Sequence, residues 1–348
     1  MTRVLHVTPN APEPDRIEIA ARAIREGRLV AFPTETVYGL GANALDPAAV
    51  ARIFEAKGRP PTDPLIAHIA SPDQLRGLAL DIPQLAIDLG ERLWPGPLTL
   101  VLKRNPRLPA NLSAGRDTVA VRQPAHPVAA ALIRSAGTPI AAPSANLFSR
   151  PSPTTAEHVL RDLDGRIDLI LDGGPTPVGV ESTVLDLTVS PPAVLRPGGV
   201  PAEILREMIP TLDVSPRVAG PAESASSPGT FLKHYSPQSP LLLFTGPRDS
   251  MLAEMRRTAQ QLLAENKRVA MLLATPEISL FADLPVITFD LGDDLDSVAR
   301  RLFTGLRQLD SSGADLILAH DFPREGLGLA IWDRLFRAAE GRVVIGNW

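Results

Sequence analysis

One segment, residues 29–44, constrains the fold more than any other part of the chain, because an apolar run ends there at a proline. It reads Leu-Val-Ala-Phe-Pro-Thr-Glu-Thr-Val-Tyr-Gly-Leu-Gly-Ala-Asn-Ala. Leu29 to Phe32 has the length and composition of a buried strand, whereas Pro33 cannot continue a central ladder. We therefore expect the chain to leave the sheet at Pro33.

The residues after this break are small and hydroxylated, which makes the exit from the strand a candidate ligand site. Thr34, Thr36 and Tyr38 line the exit. In open α/β sheets, ligands bind outside the strand ends. A tight loop between a strand and a helix, without a ligand, explains the same residues equally well.

Composition indicates a globular protein and excludes several kinds of site. Of the 348 residues, 44% are apolar and 21% are charged, and this length suits two domains. No apolar run approaches the roughly 20 residues of a membrane span, and the N-terminus lacks a signal-peptide pattern, so we expect a cytoplasmic protein. The absence of cysteine excludes disulfides, thiolate metal sites and a cysteine nucleophile, and the six histidines fall in no ligand spacing.

The order of apolar segments and turns predicts two domains and a linker. Residues 1–210 mix strands and helices without a repeat, which predicts an α/β or α+β domain with a mixed sheet. Within it, Thr154 and Glu157 form a capping-box pattern that predicts a helix start. Residues 211–240 are rich in proline, serine and alanine, which predicts a linker. In residues 241–348, short apolar strands alternate with helices, which predicts a smaller, Rossmann-like parallel sheet.

The charge distribution suggests an anionic ligand. The net charge of −4 argues against coating of nucleic acid by bulk charge, yet the segment from Arg92 to Arg134 carries seven basic residues and one acid, Asp117. A solvated basic face is the alternative. Further cations stand at predicted strand or helix ends, namely Lys57, Arg59, Arg150 and Arg196.

Two turns offer hydroxyl and amide groups at strand ends. Pro143-Ser-Ala-Asn146 follows a short strand of small residues, so a ligand can approach the backbone closely; Ser144 is suited to bind a phosphate or carboxylate, and Asn146 to orient it or a metal-bound water. The glycine-rich loop 172–183 similarly delivers Ser182 to a strand start and suits an anion nest. Turns without a ligand explain both segments as well.

Seven short segments follow one another along the first domain. They are Phe32-Pro-Thr-Glu-Thr-Val-Tyr-Gly-Leu-Gly41, Lys57-x-Arg59, Trp94-Pro-Gly-Pro-Leu-Thr99, Val119-Ala-Val-Arg122, Ala142-Pro-Ser-Ala-Asn146, Gly179-x-Glu-Ser-Thr183 and Leu195-Arg-Pro-Gly198. In this order they resemble the YrdC-type domain of the threonylcarbamoyl-AMP synthase family. With the linker and the second domain, nearly the whole chain resembles the long two-domain form of that family.

The resemblance implies an enzyme, a nucleotidyltransferase that joins L-threonine, bicarbonate and ATP into threonylcarbamoyl-adenylate and pyrophosphate. It implies a twisted mixed α/β sheet with helices around a deep basic cavity. It also implies that the product passes to downstream threonylcarbamoyl-transferase machinery, which modifies adenosine in tRNA.

The resemblance also assigns roles to individual residues. The residues implied to bind threonine are Thr36, His68, Arg122, Ala142 and Ser182. Those implied to bind ATP are Arg59, Asp63, Thr118, Ser144, Ser152, Arg196 and Tyr235. Lys57, Arg59, Ser144 and Asn146 form the two signatures expected to act in catalysis. Asp63 departs from the amide that related sequences often carry, and a carboxylate there would repel phosphate, so it faces the ribose, faces a metal or contributes nothing.

The chemistry of these residue types suits the implied reaction. Arg122 offers a bidentate fork to the carboxylate of threonine, and Thr36 and Ser182 offer acceptors to its ammonium and hydroxyl groups. Attack of a carbamate on the α-phosphorus needs positioning and charge neutralisation more than a covalent nucleophile. Mg²⁺ would bridge the phosphates of ATP with few protein ligands, and the sequence does not identify which residues these are.

Two further expectations concern the linker and an alternative function. Tyr235 stands out in the proline-rich linker, so we expect residues 211–240 to fold over the active site, with Tyr235 bonded to a phosphate of ATP. The alternative function is a module that binds tRNA or other double-stranded RNA through phosphate contacts without turnover.

Overall fold

The computed structural model describes residues 1–214 and 235–346, which divide into two compact units. The first unit comprises residues 1–148 and 152–214, and the second comprises residues 149–151 and 235–346. Most of the predicted linker, residues 215–234, lies outside the described residues. None of the described helices is long and apolar enough to cross a membrane.

In the described residues of the first unit, ten strands form one mixed sheet. The strands are β1 (Arg3–His6), β2 (Val30–Pro33), β3 (Tyr38–Asn43), β4 (Ile66–His68), β5 (Leu98–Lys103), β6 (Thr118–Arg122), β7 (Ile140–Ala141), β8 (Leu169–Asp172), β9 (Thr183–Asp186) and β10 (Ala193–Arg196). Their order across the sheet is β1-β8-β2-β3-β7-β4-β6-β5-β9-β10. Pairs such as β4 with β6 and β5 with β9 are parallel, whereas β2 with β3 and β5 with β6 are antiparallel. The predicted mixed α/β sheet is therefore confirmed.

Helices cover this sheet. They are α1 (Pro14–Arg25), α2 (Pro47–Lys57), α3 (Leu75–Leu78), α4 (Gln84–Leu93), α5 (Pro127–Ala136), α6 (Ala156–Leu163) and α7 (Ala202–Met208). Successive residues of a strand face opposite sides of a sheet, and β2 shows this clearly. Val30 and Phe32 join an apolar cluster with residues of α1 and α5, whereas Ala31 joins a second cluster with residues of α2.

The segment after Pro33 corrects one expectation. Pro33 is the last residue of β2, but the chain does not leave the sheet there; it reverses through residues 34–37 and returns as β3, with Pro33 opposite Tyr38. The glycines of β3 explain why its sequence does not look like a strand. A Cβ on Gly41 would lie 2.7 Å from a ring carbon of Phe32 and 2.8 Å from a methyl carbon of Ile140, so close packing requires glycine there.

Two smaller differences concern strand and helix starts. The N-terminal residues Arg3–His6 form a strand, β1, that pairs with β8 and that the sequence pattern does not predict. Helix α6 is capped by Thr155 rather than Thr154, because the Thr155 hydroxyl accepts from the backbone N–H of His158 at 3.3 Å. The predicted capping box is thus wrong by one residue.

The second unit contains a parallel sheet, as predicted. Its strands are β11 (Leu241–Thr245), β12 (Val269–Leu273), β13 (Ile287–Asp290), β14 (Leu316–His320) and β15 (Val343–Ile345). Its helices are α8 (Arg248–Ala264), α9 (Thr275–Ile278), α10 (Leu295–Asp310) and α11 (Gly328–Ala338), with a 3₁₀ turn at Ser279–Phe281. The strand order is β13-β12-β14-β11-β15, and all its strand pairs are parallel.

Candidate active site

The register of β4 and β6 brings His68 and Arg122 side by side. These strands are parallel, and His68 is the direct partner of Arg122. Partners in a parallel pair project from the same face of a sheet. Both residues are buried, and both end their strands. The fold thus places two of the predicted threonine-binding residues together.

The guanidinium of Arg122 is held from three sides. Its Nη2 lies 2.6 Å from Oε1 of Glu35, its Nη1 donates to the Thr36 hydroxyl at 3.0 Å, and its Nε donates to the Gly96 carbonyl at 3.3 Å. Glu35 is itself anchored, because its Oε2 accepts from the backbone N–H of Ala125 at 3.1 Å. The arginine is therefore oriented by the β2–β3 turn and by the loop before β5.

The β2–β3 turn holds its hydroxyl groups in one chain of hydrogen bonds. The Thr34 hydroxyl lies 2.7 Å from the Val37 carbonyl, to which it must donate, and 2.8 Å from the Thr36 hydroxyl. Because the Thr34 proton is used, Thr36 donates to Thr34 and accepts from Arg122. Backbone N–H groups of Val178 and Gly179 bind the carbonyls of residues 35 and 36 at 2.9 and 3.1 Å, so the turn is fixed on both sides.

His68 is neutral in this environment. Complete burial, together with the positive charge of Arg122, lowers the pKa of His68 to about 3. Its Nδ1 lies 3.2 Å from the Ile66 carbonyl oxygen, which can only accept, so Nδ1 carries a proton. His68 therefore contributes a neutral imidazole next to a cation.

Ser182 lies just before β9 and is bonded to a second cation, Arg196. The hydroxyl groups of Ser182 and Thr99 are 2.8 Å apart. Arg196, the last residue of β10, donates from Nη2 to the Ser182 carbonyl at 2.9 Å and to its hydroxyl at 3.1 Å. Gly198 lies against the same segment, where a Cβ would come within 2.3 Å of the Glu181 carbonyl oxygen.

Lys57 joins the two predicted catalytic signatures. It ends α2 and is 2% exposed, so its ammonium group must be satisfied within the protein. Its Nζ donates to the Ser144 carbonyl at 2.7 Å and to the Asn146 carbonyl at 2.5 Å. Because both contacts are to backbone, Lys57 shapes the loop that presents Ser144 and Asn146.

Arg59 and Asp63 form a buried ion pair beside Lys57. Nη2 of Arg59 lies 3.0 Å from Oδ2 of Asp63 and donates to the Pro64 carbonyl at 2.8 Å. Burial raises the pKa of Asp63, although Arg59, Lys57 and Arg196 act in the opposite direction. The carboxylate is thus surrounded by cations, which gives a physical reason for an acid where a phosphate site is expected.

Four other predicted residues lie at different places. Ala142 directly follows β7 and is buried. Thr118 begins β6, at the opposite end of the strand from Arg122. Ser152 is buried and donates to a carboxylate oxygen of Glu181. Tyr235 belongs to the second unit, where its ring centroid lies 5.4 Å from that of Phe303 and the Arg334 guanidinium lies 5.0 Å from it.

Two of the predicted threonine residues and two of the predicted ATP residues lie at opposite ends of β4 and β6. His68 and Arg122 are the carboxyl ends of these strands, whereas Asp63 precedes β4 and Thr118 begins β6. Arg122 is four positions after Thr118, which corresponds to about 13 Å along a strand. Thr118 and Arg122 also share a face, because side chains alternate with a period of two. A ligand that contacts both groups must therefore be elongated.

The sequence does not identify Glu35 and Thr99 as site residues, although Glu35 pairs with Arg122 and Thr99 bonds to Ser182. Glu35 lies between Thr34 and Thr36, but an acid in a polar turn is usually solvated, so nothing in the sequence indicates its burial. Thr99 belongs to a segment that carries the family resemblance, yet only the parallel pairing of β5 with β9 shows that it reaches Ser182.

Two family models match successive parts of the chain. The model described as telomere recombination (Sua5/YciO/YrdC) matches residues 22–198, and the model described as the threonylcarbamoyl-AMP synthase C-terminal domain matches residues 200–340.

Similar proteins match along their full length. The threonylcarbamoyl-AMP synthase of Pyrococcus abyssi is 48% identical over 99% of both chains, and that of Bacillus subtilis is 46% identical over 94% of both. The crystal structure of P. abyssi Sua5 complexed with L-threonine superposes with a TM-score of 0.94 at 46% identity, covering 99% of this chain and 100% of that one. Escherichia coli YciO covers 57% of this chain and 96% of its own, with a TM-score of 0.52 at 27% identity. The chain therefore belongs to the threonylcarbamoyl-AMP synthase (Sua5) family, in its two-domain form.

Proposed function

We propose that this protein makes threonylcarbamoyl-adenylate and pyrophosphate from L-threonine, bicarbonate and ATP. One observation carries the proposal: the Arg122 guanidinium lies at the carboxyl ends of β4 and β6, whereas Asp63, with the cations Lys57 and Arg59 near it, lies before the start of β4. The product has the same linear arrangement, with an amino acid at one end and a nucleotide at the other. The threonine complex of the P. abyssi relative supports the same proposal.

In this proposal, Arg122 binds the carboxylate of threonine. Its orientation is already fixed by Glu35 and Thr36, so little side-chain entropy is lost on binding. The neutral His68 supplies a ring beside the ligand without adding charge. Ser182 and the backbone of Ala142 complete the threonine site, with the Ser182 hydroxyl held by Thr99.

Arg59, Arg196, Lys57 and Ser144 would hold the phosphates of ATP. The amine of threonine first condenses with bicarbonate to a carbamate, with loss of water; a carbamate oxygen then attacks the α-phosphorus and pyrophosphate leaves. Charge increases on the pyrophosphate oxygens in this step, and fixed guanidinium groups stabilise it without reorganisation. Thr118, Ser152 and Asn146 are proposed to position the nucleotide, and Asp63 to hold Arg59 in place.

Magnesium is proposed to enter with ATP, as part of the substrate. The described residues contain no group of three or more histidine and acidic side chains able to hold a metal ion, and Asp63 is already paired with Arg59. This donor set suits a Mg²⁺ ion held mainly by phosphate oxygens and water.

Tyr235 is proposed as a further contact of ATP. Residues 215–234, which the sequence predicts to fold over the active site, lie outside the described residues. Tyr235→Phe tests this role, with an expected loss of roughly 0.5–3 kcal/mol in ATP binding for one hydrogen bond. Unchanged ATP affinity in this variant would remove Tyr235 from the site.

Omission of single substrates tests the proposed function directly. Pyrophosphate release and an AMP-linked product should require threonine, bicarbonate, ATP and Mg²⁺ together. ATP hydrolysis that ignores threonine would refute the proposal, and RNA binding without any turnover would favour the module that binds tRNA or double-stranded RNA. Transfer of the product to tRNA by a downstream enzyme, in the cytoplasm, completes the proposed role.

A further inference from the structure

One face of helix α10 carries three buried side chains of different chemistry. Phe303, Arg307 and Asp310 follow one another at spacings of four and three residues, so they lie on the same side of the helix. Phe303 is fully buried, Arg307 is 3% exposed, and the side chain of Asp310 is 6% exposed. Buried charges need partners within the protein, and partners of Arg307 and Asp310 come from a segment far away in the chain.

That segment is residues 149–151, which belong to the second unit although the residues before and after them belong to the first. Arg307 donates from Nη2 to the Pro151 carbonyl. Oδ2 of Asp310 lies 3.3 Å from Nη2 of Arg150. This face of α10 thus binds the segment through one backbone group and one side chain.

Asp310 stands where a helix disfavours an acid. It is the last residue of α10, and the negative end of the helix dipole repels a carboxylate there. Its partners explain its presence. While Oδ2 pairs with Arg150, Oδ1 accepts from the backbone N–H of Ser239 at 2.8 Å. Asp310 therefore connects Arg150 with the segment that leads into β11.

The same face of α10 also holds Tyr235 and the residue after it. The Tyr235 ring centroid lies 5.4 Å from that of Phe303, and the Ser236 N–H donates to the Ser149 carbonyl at 2.7 Å. Ser149 and Tyr235 have φ angles of 66° and 61°, in a region that residues other than glycine rarely adopt. Such conformations persist where the surrounding contacts impose them. The two segments and α10 therefore form one interlocked cluster.

The two segments border residues that the proposed function assigns to ATP. Ser152 directly follows Pro151, Asn146 precedes Ser149 by three residues, and Tyr235 is itself a proposed contact of ATP. A loop that is held between Ser149 and Pro151 leaves its neighbours few alternative positions. In a reaction that depends on positioning, small displacements of the binding groups cost much of the rate.

We propose that Arg307 and Asp310 are positioning residues for ATP. They fix residues 149–151 and, through the chain, the proposed ATP residues that flank this segment. The inference rests on the proposed function and extends it to helix α10, to which the sequence pattern assigns no role. A different role for Arg150 makes the opposite prediction. If Arg150 bound a phosphate itself, Asp310 would compete with ATP for the guanidinium.

Asp310→Asn separates the two roles. The amide keeps an acceptor for the Ser239 N–H but removes the charge that holds Arg150. In our proposal the KM for ATP rises roughly three- to thirtyfold, whereas the KM for threonine changes by less than about twofold. Competition predicts the reverse, because a released Arg150 would bind ATP as tightly as before or more tightly, and that result would overturn the proposal. So would a lower kcat with unchanged KM values, which indicates a smaller folded fraction.

Arg307 gives a second test. Arg307→Met removes the donor to the Pro151 carbonyl and Arg307→Lys retains one, so the KM for ATP should rise in the first variant and recover in part in the second. Arg301→Ala is the matched control, because Arg301 lies on the same helix but faces Asp290 of β13 at 3.7 Å. Its KM for ATP should change by less than about twofold.

Binding of a non-hydrolysable ATP analogue to the full chain, measured by calorimetry, separates this inference from the proposed function. If the wild type binds the analogue but releases no pyrophosphate with all substrates present, the proposed function fails, and the affinities of the variants still decide the role of α10. Wild-type affinity in both Asp310→Asn and Arg307→Met would overturn that role. Absence of binding in the wild type would overturn both.

Discussion

Oε1 of Glu35 lies 2.6 Å from Nη2 of Arg122, and both side chains are less than a tenth exposed. The residue proposed to bind the threonine carboxylate is thus already neutralised before substrate arrives. Glu35 also accepts a hydrogen bond from the Ala125 N–H, so it connects the β2–β3 turn with the loop that follows β6. A substrate carboxylate that leaves this pair intact has to use the remaining N–H groups of the guanidinium.

Glu35→Gln should destabilise the protein because it leaves Arg122 buried without a counter-charge. Breaking a buried pair in this way costs about 3–5 kcal/mol. Urea unfolding gives the loss, and Glu35→Gln combined with Arg122→Gln should recover part of it. Glu18→Gln, which removes one side of an exposed pair with Arg25, is the control and should change little. If Glu35→Gln leaves the free energy of unfolding unchanged, the pair is not stabilising.

Arg122→Ala should damage the use of threonine more than the binding of ATP. The proposed partner is the amino-acid carboxylate, and loss of a charge-assisted bond costs about 1.5–3 kcal/mol, roughly ten- to over a hundredfold in affinity. Steady-state kinetics with each substrate varied in turn gives the two effects separately. Equal losses for both substrates would contradict the assignment.

Stability should fall as the pH is lowered, in part through His68. Its pKa is about 3 in the folded protein and about 6.5 in an unfolded chain, so the unfolded state binds more protons between these values. The contribution of His68 to the free energy of unfolding is complete above pH 6.5. Acidification from pH 7 to pH 5 removes about 2 kcal/mol of it.

His68→Asn keeps a donor for the Ile66 carbonyl but removes this titration. Urea unfolding at pH 5, 6 and 7 should therefore show a weaker pH dependence in His68→Asn than in wild type. Parallel curves for the two proteins would mean that His68 is not buried in neutral form.

Gly198→Ala should disturb the segment that carries Ser182. An added Cβ would lie 2.3 Å from the Glu181 carbonyl oxygen and 2.4 Å from the backbone nitrogen of Thr183, and backbone cannot give way as a flexible side chain does. We expect a loss of roughly 1–3 kcal/mol with a higher KM for threonine. Gly77→Ala is the control, because nothing lies within 4 Å of its added Cβ. Normal stability and kinetics in Gly198→Ala would show that the segment is free to shift.

The sequence predicts the fold class and the family because both depend on local signals. Strand ends such as Arg122 and turns such as Ser144 to Asn146 stand out from their neighbours, and the parallel sheet of the second unit follows from its alternation of strands and helices. The comparisons confirm the family, and the structure confirms both sheets.

What the sequence does not predict depends on close packing and on distant pairing. Strand β3 is missed because Gly39 and Gly41 have poor strand propensity, and their need for close contact with Phe32 is visible only in the sheet. Glu35 is missed because its burial follows from a partner far along the chain. The start of α6 is misplaced because Thr154 and Thr155 have the same capping chemistry.

The parallel register of β4 with β6 also determines when the site exists during folding. His68 reaches Arg122 only after these two separate strands pair, and Ser182 arrives only when β9 pairs with β5. Such non-local pairings pay the entropy of loop closure before they gain any contact, and they form slowly. A growing chain that has not yet produced β9 can therefore build part of the sheet but lacks Ser182 in its place, so the proposed threonine site is completed only after residue 186 has been made.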